Sequence, residues 1–293
     1  MKGSRSAAGR YRCVGLVAKT SSRAAVNLVR SLEAALRRRG LVVRFESLTA
    51  EAIGRSDGLT RERIAREVDV VFVLGGDGTL LSVARAAPRT TPVLGINVGV
   101  LGFLAGLSKE EALPRLDEVL SGKFREDRRR RLDVSIKRGG RPTTYRVLND
   151  AVLNKEALAR ISTFAVSLDG APVARFRSDG VIVSTPTGST AYNLSAGGPI
   201  LHPSLPAVVI TPICPHTLSQ RPLVVPASTV IGIRVLDPNR EAGVYLTLDG
   251  QEGYPIGADA SVEVRSSAST VTLLRPPESS HFDKLAEKLS WGV

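Results

Sequence analysis

Five apolar residues in a row, Val70 to Leu74, run straight into Gly75-Gly76-Asp77-Gly78-Thr79, and an apolar helical pattern begins at Leu80. No other stretch restricts the fold as much. A strand apolar at every position has no face to offer water, so it belongs inside a sheet covered on both sides. The neighbouring sequence supplies such a sheet. Residues 13–18, 41–45 and 93–96 read as further strands. Between the first two, Ala25, Leu28, Val29, Leu32, Ala35 and Leu36 recur at helical spacing over 23–39, and Gly40 is a natural stop. Strands alternating with helices predict an α/β domain built on a parallel sheet.

The pattern changes near residues 121–131, a polar and highly charged stretch. Beyond it come short alternating runs at 132–137, 144–148, 163–168, 181–184, 230–235, 245–248, 261–264 and 270–274, punctuated by turn residues. This half reads as mostly β, a sandwich or a pair of packed sheets. Helical spacing returns at 282–289. The expected division is 1–125 for the α/β domain, 126–275 for the β-rich domain, and 276–293 for a C-terminal segment whose short helix packs back on the first domain.

The chain has 293 residues, enough for one large domain or two medium ones, with ordinary apolar (43%) and charged (23%) content that argues against wholesale disorder. Two cysteines, Cys13 and Cys214, exclude a disulfide framework and a cysteine zinc site, and His202, His216 and His281 have no metal-ligand spacing. No run approaches the ~20 apolar residues of a membrane span, and the N-terminus lacks the apolar core of a secretory signal. The expectation is a soluble cytoplasmic protein without a membrane partner. The net charge of +12 comes from 32 arginines and 8 lysines against 28 acidic residues, while aromatics are only 4%. A base-stacking surface is not evident, and specific nucleic-acid binding is not expected. The run Arg128–Arg131, beside Glu126, Asp127 and Asp133, reads as a solvated linker.

A glycine-rich turn between a buried strand and a helix is a phosphate site in outline. Glycines permit φ > 0 and close backbone approach, and the helix start presents amide N–H groups to an anion. Asp77 is out of place there, since a carboxylate repels phosphate unless it accepts a hydroxyl proton or helps to hold a cation. The plainer reading makes Asp77 the helix N-cap. The spacing is neither Walker A nor the Rossmann fingerprint. A second glycine stretch, Gly95 to Leu104, would form an opposite wall with Asn97 facing the ligand. In the second half, Ser178 to Pro199 concentrates small hydroxylated residues and glycines around Tyr192, suited to a polar ligand such as ribose or phosphate.

Taken together, Gly75–Thr79, Asn97–Leu104, Asn149-Asp150, Ser178–Ser195, Pro212–Ser219 and Leu248-Asp249-Gly250-Gln251 resemble the NAD kinase family, in that family's order, from about residue 70 to 251. The resemblance implies a two-domain NAD kinase-like fold with the active site in the interdomain cleft. It implies transfer of the terminal phosphate of ATP, or of polyphosphate, to the adenosine-ribose 2′-hydroxyl of NAD, giving NADP. A divalent cation, Mg²⁺ by expectation, would be required, and the protein would be a homodimer or homotetramer. Carried over position by position, Asp77 is the proton acceptor, with Gly75, Gly76, Gly78 and Thr79 forming the phosphate loop. Gly78, Asn149, Asp150, Arg160, Arg177, Asp179 and Gln251 fall on NAD-binding positions. So do Thr190, Ala191, Tyr192, Asn193, Leu194 and Ser195, the segment that wraps the dinucleotide. Where many members carry a basic residue, this chain has Ser82, with Arg85 as a possible substitute. Strand geometry would put Arg177 and Asp179 on one face, and a guanidinium holding that carboxylate would favour cationic NAD over NADH. Two other readings compete. A lipid kinase of the same loop class leaves Asn149-Asp150 and the 185–195 stretch without a purpose. A non-catalytic dinucleotide-binding protein has no need of Asp77.

Overall fold

The computed structural model describes residues 10–99, 102–137, 141–156, 161–217, 219–236, 243–257 and 260–291. The chain divides into two units, Met1–Arg128 with Val271–Val293, and Arg129–Thr270.

The first unit is built on a seven-stranded sheet in the order Val42–Phe45, Cys13–Ala18, Val70–Leu74, Val93–Asn97, Val271–Arg275, Arg125–Arg129, with the short Leu107–Ser108 also paired to Val93–Asn97. The pairings among the first four strands are parallel, with Val14 opposite Val70 and Phe72 opposite Leu94. Val70–Leu74 is buried at all five positions, as its composition requires. Leu16, Phe72, Leu94 and Ile96 pack in one cluster with Val29, Leu32 and Leu36 of the helix Arg23–Arg38. Burial of each such side chain contributes about 1.5–3 kcal/mol. That helix starts where Ser22 accepts the Ala25 N–H and ends before Gly40, whose φ of +78° L-residues rarely adopt.

Two stretches differ from the reading of the sequence. Val271–Arg275 carries the alternating signature of the second half, yet it is a strand of the first sheet, parallel to Val93–Asn97 and buried throughout. Its neighbour Arg125–Arg129 is no solvated linker. Extended backbone turns alternate residues inward, so Arg129 and Arg131 are buried while Arg128 is exposed. Arg131 is 1% exposed and donates to Ser269 Oγ (2.8 Å) and the Thr270 carbonyl (2.6 Å), with burial lowering its pKa to about 10.

The second unit consists of two six-stranded sheets. One runs Ala171–Ser178, Ser162–Leu168, Ile231–Val235, Ser261–Ser266, Leu132–Lys137, Thr143–Val147. The other runs Leu223–Pro226, Ala207–Ile213, Gly180–Ser184, Asp150–Lys155, Val244–Leu248, Glu252–Ile256. The pairings are antiparallel. Alternating residues Leu132, Val134, Phe164, Ile233 and Val262 of the first sheet share a core with Leu153, Val181, Val183, Ile210 and Leu246 of the second. Asp150–Lys155 and Gly180–Ser184 are buried on their other face as well, where Val152, Ile182 and Ile213 cluster. Ser184 is paired with Asp150, so these two adjacent strands bring Asp150 and the start of the Thr185–Ser195 stretch to the same end.

Candidate active site

The glycine loop owes its shape to close contact rather than to left-handed backbone. None of Gly75, Gly76 and Gly78 has a positive φ, contrary to the reading of the sequence. Gly75 is required because a Cβ there would lie 2.7 Å from Thr79 Oγ1. Gly76 is the N-cap of the helix Asp77–Ala86 and offers no capping side chain. Asp77 is therefore the first helical residue and not the cap. Its negative charge sits at the positive end of the helix.

Among the described residues, the Asp77 carboxylate is held by two backbone amides. Oδ2 accepts the Phe103 N–H at 2.9 Å and Oδ1 accepts the Leu104 N–H at 3.1 Å. Each oxygen keeps a lone pair for a further donor. Gly102 makes this approach possible, since a Cβ at that position would fall 2.1 Å from Oδ1. Two parts of the second glycine stretch behave otherwise than expected. Gly95 lies against Leu80, which a Cβ would meet at 2.4 Å, so it seats the helix on the sheet. Asn97 is 4% exposed and spends its amide on both backbone groups of Gly99, at 3.1 and 3.2 Å, rather than facing a ligand. The Ser82 hydroxyl donates back to the Thr79 carbonyl at 2.7 Å.

In the second unit, Asn149, Asp150, Ala191 and Tyr192 come together with Asn154, Thr247, Asp249 and Gly250 around a cavity of about 360 Å³. A larger cavity of about 750 Å³ lies over the other sheet, along Ser162–Leu168 and Ile231–Val235, and none of the sequence-marked residues lines it. The smaller one has the chemistry. Asn149 Oδ1 is buried with no hydrogen-bond partner among the described residues, which costs about 1–3 kcal/mol unless a ligand or water satisfies it. The Asp150 carboxyl is 4% exposed, and burial, followed by the nearby Asp249 charge, pushes its pKa up to about 7. Tyr192 is 43% exposed beside it.

Asp249 organises this corner, and it was not singled out as a site residue in the sequence. It adopts φ +51° in the turn after Val244–Leu248. Its carboxylate accepts three consecutive backbone N–H groups, Leu148 at 3.0 Å, Asn149 at 2.7 Å and Asp150 at 3.2 Å. The Asn149 carbonyl is pinned in turn by the Thr185 N–H (2.8 Å) and the Ser184 hydroxyl (3.2 Å), and Gly188 leaves room for it.

Other marked residues are elsewhere or otherwise engaged. Asn193 is fully buried, and its amide donates to the carbonyls of Ser189 (3.0 Å) and Pro199 (3.1 Å) while accepting from Thr211 Oγ1 (2.7 Å). It locks the loop. Gly198 must be glycine for that reason, as a Cβ there would collide with the Asn193 amide. Thr190, Leu194, Ser195 and Gln251 do not line the cavity. Arg177 and Asp179 do not pair. Asp179 falls in the bend between two strands and meets Lys155 Nζ at 3.7 Å, so the argument for NAD selectivity through Arg177 loses its geometry. Arg160 lies outside the described residues. Among the described residues, no group of three or more His, Cys, Asp or Glu side chains is placed to hold a metal ion.

Comparison with known proteins covers most of the chain. A family model described as the ATP-NAD kinase N-terminal domain matches residues 14–124, and the ATP-NAD kinase C-terminal domain matches residues 148–275. The chain is 44% identical to an NAD kinase of Solibacter usitatus over 280 residues, 95% of this chain and 97% of that protein. It is 42% identical to an NAD kinase of Geobacter sulfurreducens over 281 residues, 95% and 98% of the two. Among solved structures, yeast NADH kinase complexed with NADH superposes with a TM-score of 0.89 at 26% identity, covering 96% of this chain and 88% of that one. An NAD kinase from Archaeoglobus fulgidus in complex with ATP gives 0.76 at 26% identity, covering 95% and 98%.

Proposed function

The chain belongs to the NAD kinase family, and we propose that Asp77 and the Asn149–Asp150 corner carry out that family's reaction here. The activity is phosphorylation of NAD at the expense of ATP. The acceptor is the 2′-hydroxyl of the adenosine ribose, and the product is NADP.

In this reading Asp77 receives the proton that the 2′-hydroxyl loses as it attacks the terminal phosphorus of ATP. A secondary hydroxyl is a poor nucleophile at neutral pH, and a positioned carboxylate contributes about 10²–10⁴-fold. The Phe103 and Leu104 amides hold that carboxylate in one orientation. The loop Gly75–Thr79 and the uncapped start of the helix Asp77–Ala86 are assigned to the donor phosphates. The observation that carries the NAD assignment is the buried Asn149 Oδ1 without a partner among the described residues. It accepts from a ligand N–H or O–H, while Asp150 serves ribose hydroxyls and Tyr192 packs against a planar ring. Walls formed by Asn149, Asp150, Asn154, Thr247 and Asp249 do not suit a lipid substrate.

The described residues build no metal cage, so no step is assigned to a protein-held ion. A divalent cation, Mg²⁺ in this reading, comes as part of the substrate on the donor phosphates, which supply the hard oxygen ligands it prefers. Polyphosphate as an alternative donor, a cytoplasmic location and assembly as a homodimer or homotetramer belong to the same proposal. No helix among the described residues is long and apolar enough to cross a membrane.

The test is incubation with NAD, ATP and Mg²⁺, with NADP read by an NADP-specific dehydrogenase. NADP formation is expected in the wild type, and its absence overturns the function. Asp77→Asn is expected to bind both nucleotides and to lose about 10²–10⁴-fold in kcat. Near wild-type turnover in that variant overturns the proton-acceptor role.

A further inference from the structure

We propose that Arg275 and Lys284 are positioning residues for the Asp77 carboxylate, acting through the peptide group that joins Phe103 to Leu104. The inference rests on the reading of Asp77 as proton acceptor.

One peptide group has two ends in this arrangement. Its N–H, that of Leu104, donates to Asp77 Oδ1 at 3.1 Å. Its carbonyl, that of Phe103, accepts from Arg275 Nη2 at 3.1 Å and from Lys284 Nζ at 3.5 Å. The same two cations also serve the Ala105 carbonyl, Arg275 Nη1 at 2.6 Å and Lys284 Nζ in a short contact. Arg275 ends the strand Val271–Arg275, and its side chain is 3% exposed. Its Nε faces Asp127 Oδ2 at 3.4 Å. Lys284 stands on the helix His281–Leu289, whose start is fixed by a capping box between Ser280 and Asp283.

The physical consequence is directional. A cation on a carbonyl oxygen draws charge through the amide and makes its N–H a stronger donor, most of all where water is excluded. Leu104 and Ala105 are buried and the Gly106 N–H donates to the Gly95 carbonyl at 2.8 Å, so the two cations act on a loop already anchored on its far side. Gly102 must lack a side chain for Asp77 to approach, and Ala105 has only a methyl group. The two cations on the Phe103 and Ala105 carbonyls fix the plane of the Phe103–Leu104 peptide group, and with it the direction in which the Leu104 amide is aimed at the carboxylate. A general base misplaced by about 1 Å can lose about 10²-fold in rate. No contact with either nucleotide is needed for this role, so substrate affinity is not expected to depend on it.

Lys284→Met keeps the stem and removes the charge. The expected result is a fall in kcat of about 10- to 100-fold, with KM for NAD and for ATP changed less than about twofold. Lys284→Arg should restore most of the lost turnover. Arg275→Lys, which replaces the separate Nη1 and Nη2 donors with a single ammonium on a shorter side chain, should show a smaller drop in the same direction. In the Asp77→Asn background, Lys284→Met should cost nothing further, because the two residues act on one event. Wild-type kcat in Lys284→Met overturns the proposal, as does a full additional loss in the double variant. Turnover retained by Asp77→Asn alone defeats the proton-acceptor reading instead, so the two failures are separable. Should Lys284→Met fail to fold, Lys284→Gln, polar and uncharged, carries the same comparison.

Discussion

At the scale of single residues, the site is governed by what carboxylates are made to face. Asp77 and Asp249 both accept backbone amides, two and three respectively. Asp150 has burial and a like charge instead, and its pKa rises to about 7. An aspartate titrates near 3.9 in an unfolded chain. Between about pH 4 and about pH 7 the folded protein therefore keeps a proton that the unfolded chain has released. Stability falls as pH rises through that window and levels off above it. Asp150→Asn cannot ionise, so its melting temperature should decline less than that of the wild type between about pH 5 and about pH 8. Thermal unfolding across that range decides the matter, and parallel curves would remove Asp150 as the source. Gly102 offers a second test. Gly102→Ala places a methyl group 2.1 Å from Asp77 Oδ1, so the carboxylate or the loop must move. A loss of kcat approaching about 10²-fold is expected, while a variant with normal steady-state kinetics would show that the Phe103 and Leu104 contacts are dispensable.

Elements explain why these residues meet at all. The Asn149-Asp150 pair stands at the head of Asp150–Lys155, and Asp249 sits in the turn after Val244–Leu248. Antiparallel pairing of those strands, with Leu248 opposite Ala151, brings the turn back onto the pair. Removing the anchor should loosen the corner. Asp249→Ala leaves three amides to find other partners, at about 1–3 kcal/mol for each one left buried and unpaired. Urea unfolding should register the loss of stability, and KM for NAD should rise with it. A variant with unchanged KM would mean that Asn149 and Asp150 hold their places without Asp249. Strand pairing also decided the fate of the arginine run. The charge pattern pointed to water, but extended backbone sends every second residue inward, and the guanidinium of Arg131 found acceptors at Ser269 and Thr270. Its neighbour Arg128 stays exposed.

For the whole molecule, the net charge of +12 includes arginines that already face carboxylates. Arg39 pairs with Asp117, Arg55 with Asp57, Arg115 with Glu118 and Glu278, and Arg146 with Asp133. Exposed aromatic rings for base stacking are few, with Tyr192, Tyr245, Phe282 and Trp291 scattered along the chain. Weak, salt-sensitive attraction to oligonucleotides is expected, without sequence preference. Fluorescence anisotropy with duplex and single-stranded probes at physiological salt checks this, and tight sequence-selective binding would contradict it.

Local pattern was enough for the fold class of each half of the chain, an α/β half and a mostly-β half. An apolar strand entering Gly75–Thr79 demands a covered sheet and presents a loop to phosphate, because hydrophobic periodicity and glycine geometry act over a few residues. The family's spaced motifs marked Asp77, Asn149, Asp150 and Tyr192 along the chain. Other features needed the tertiary structure, since each is a contact between distant segments. Asp249 lies about a hundred positions from the amides it binds, and Lys284 about 180 from the carbonyls it clamps. Asn193 looked like a ligand group until its amide was seen to be spent inside the loop. Whether a polar side chain binds substrate or fastens the fold depends on which donors and acceptors surround it, and sequence spacing carries no record of that.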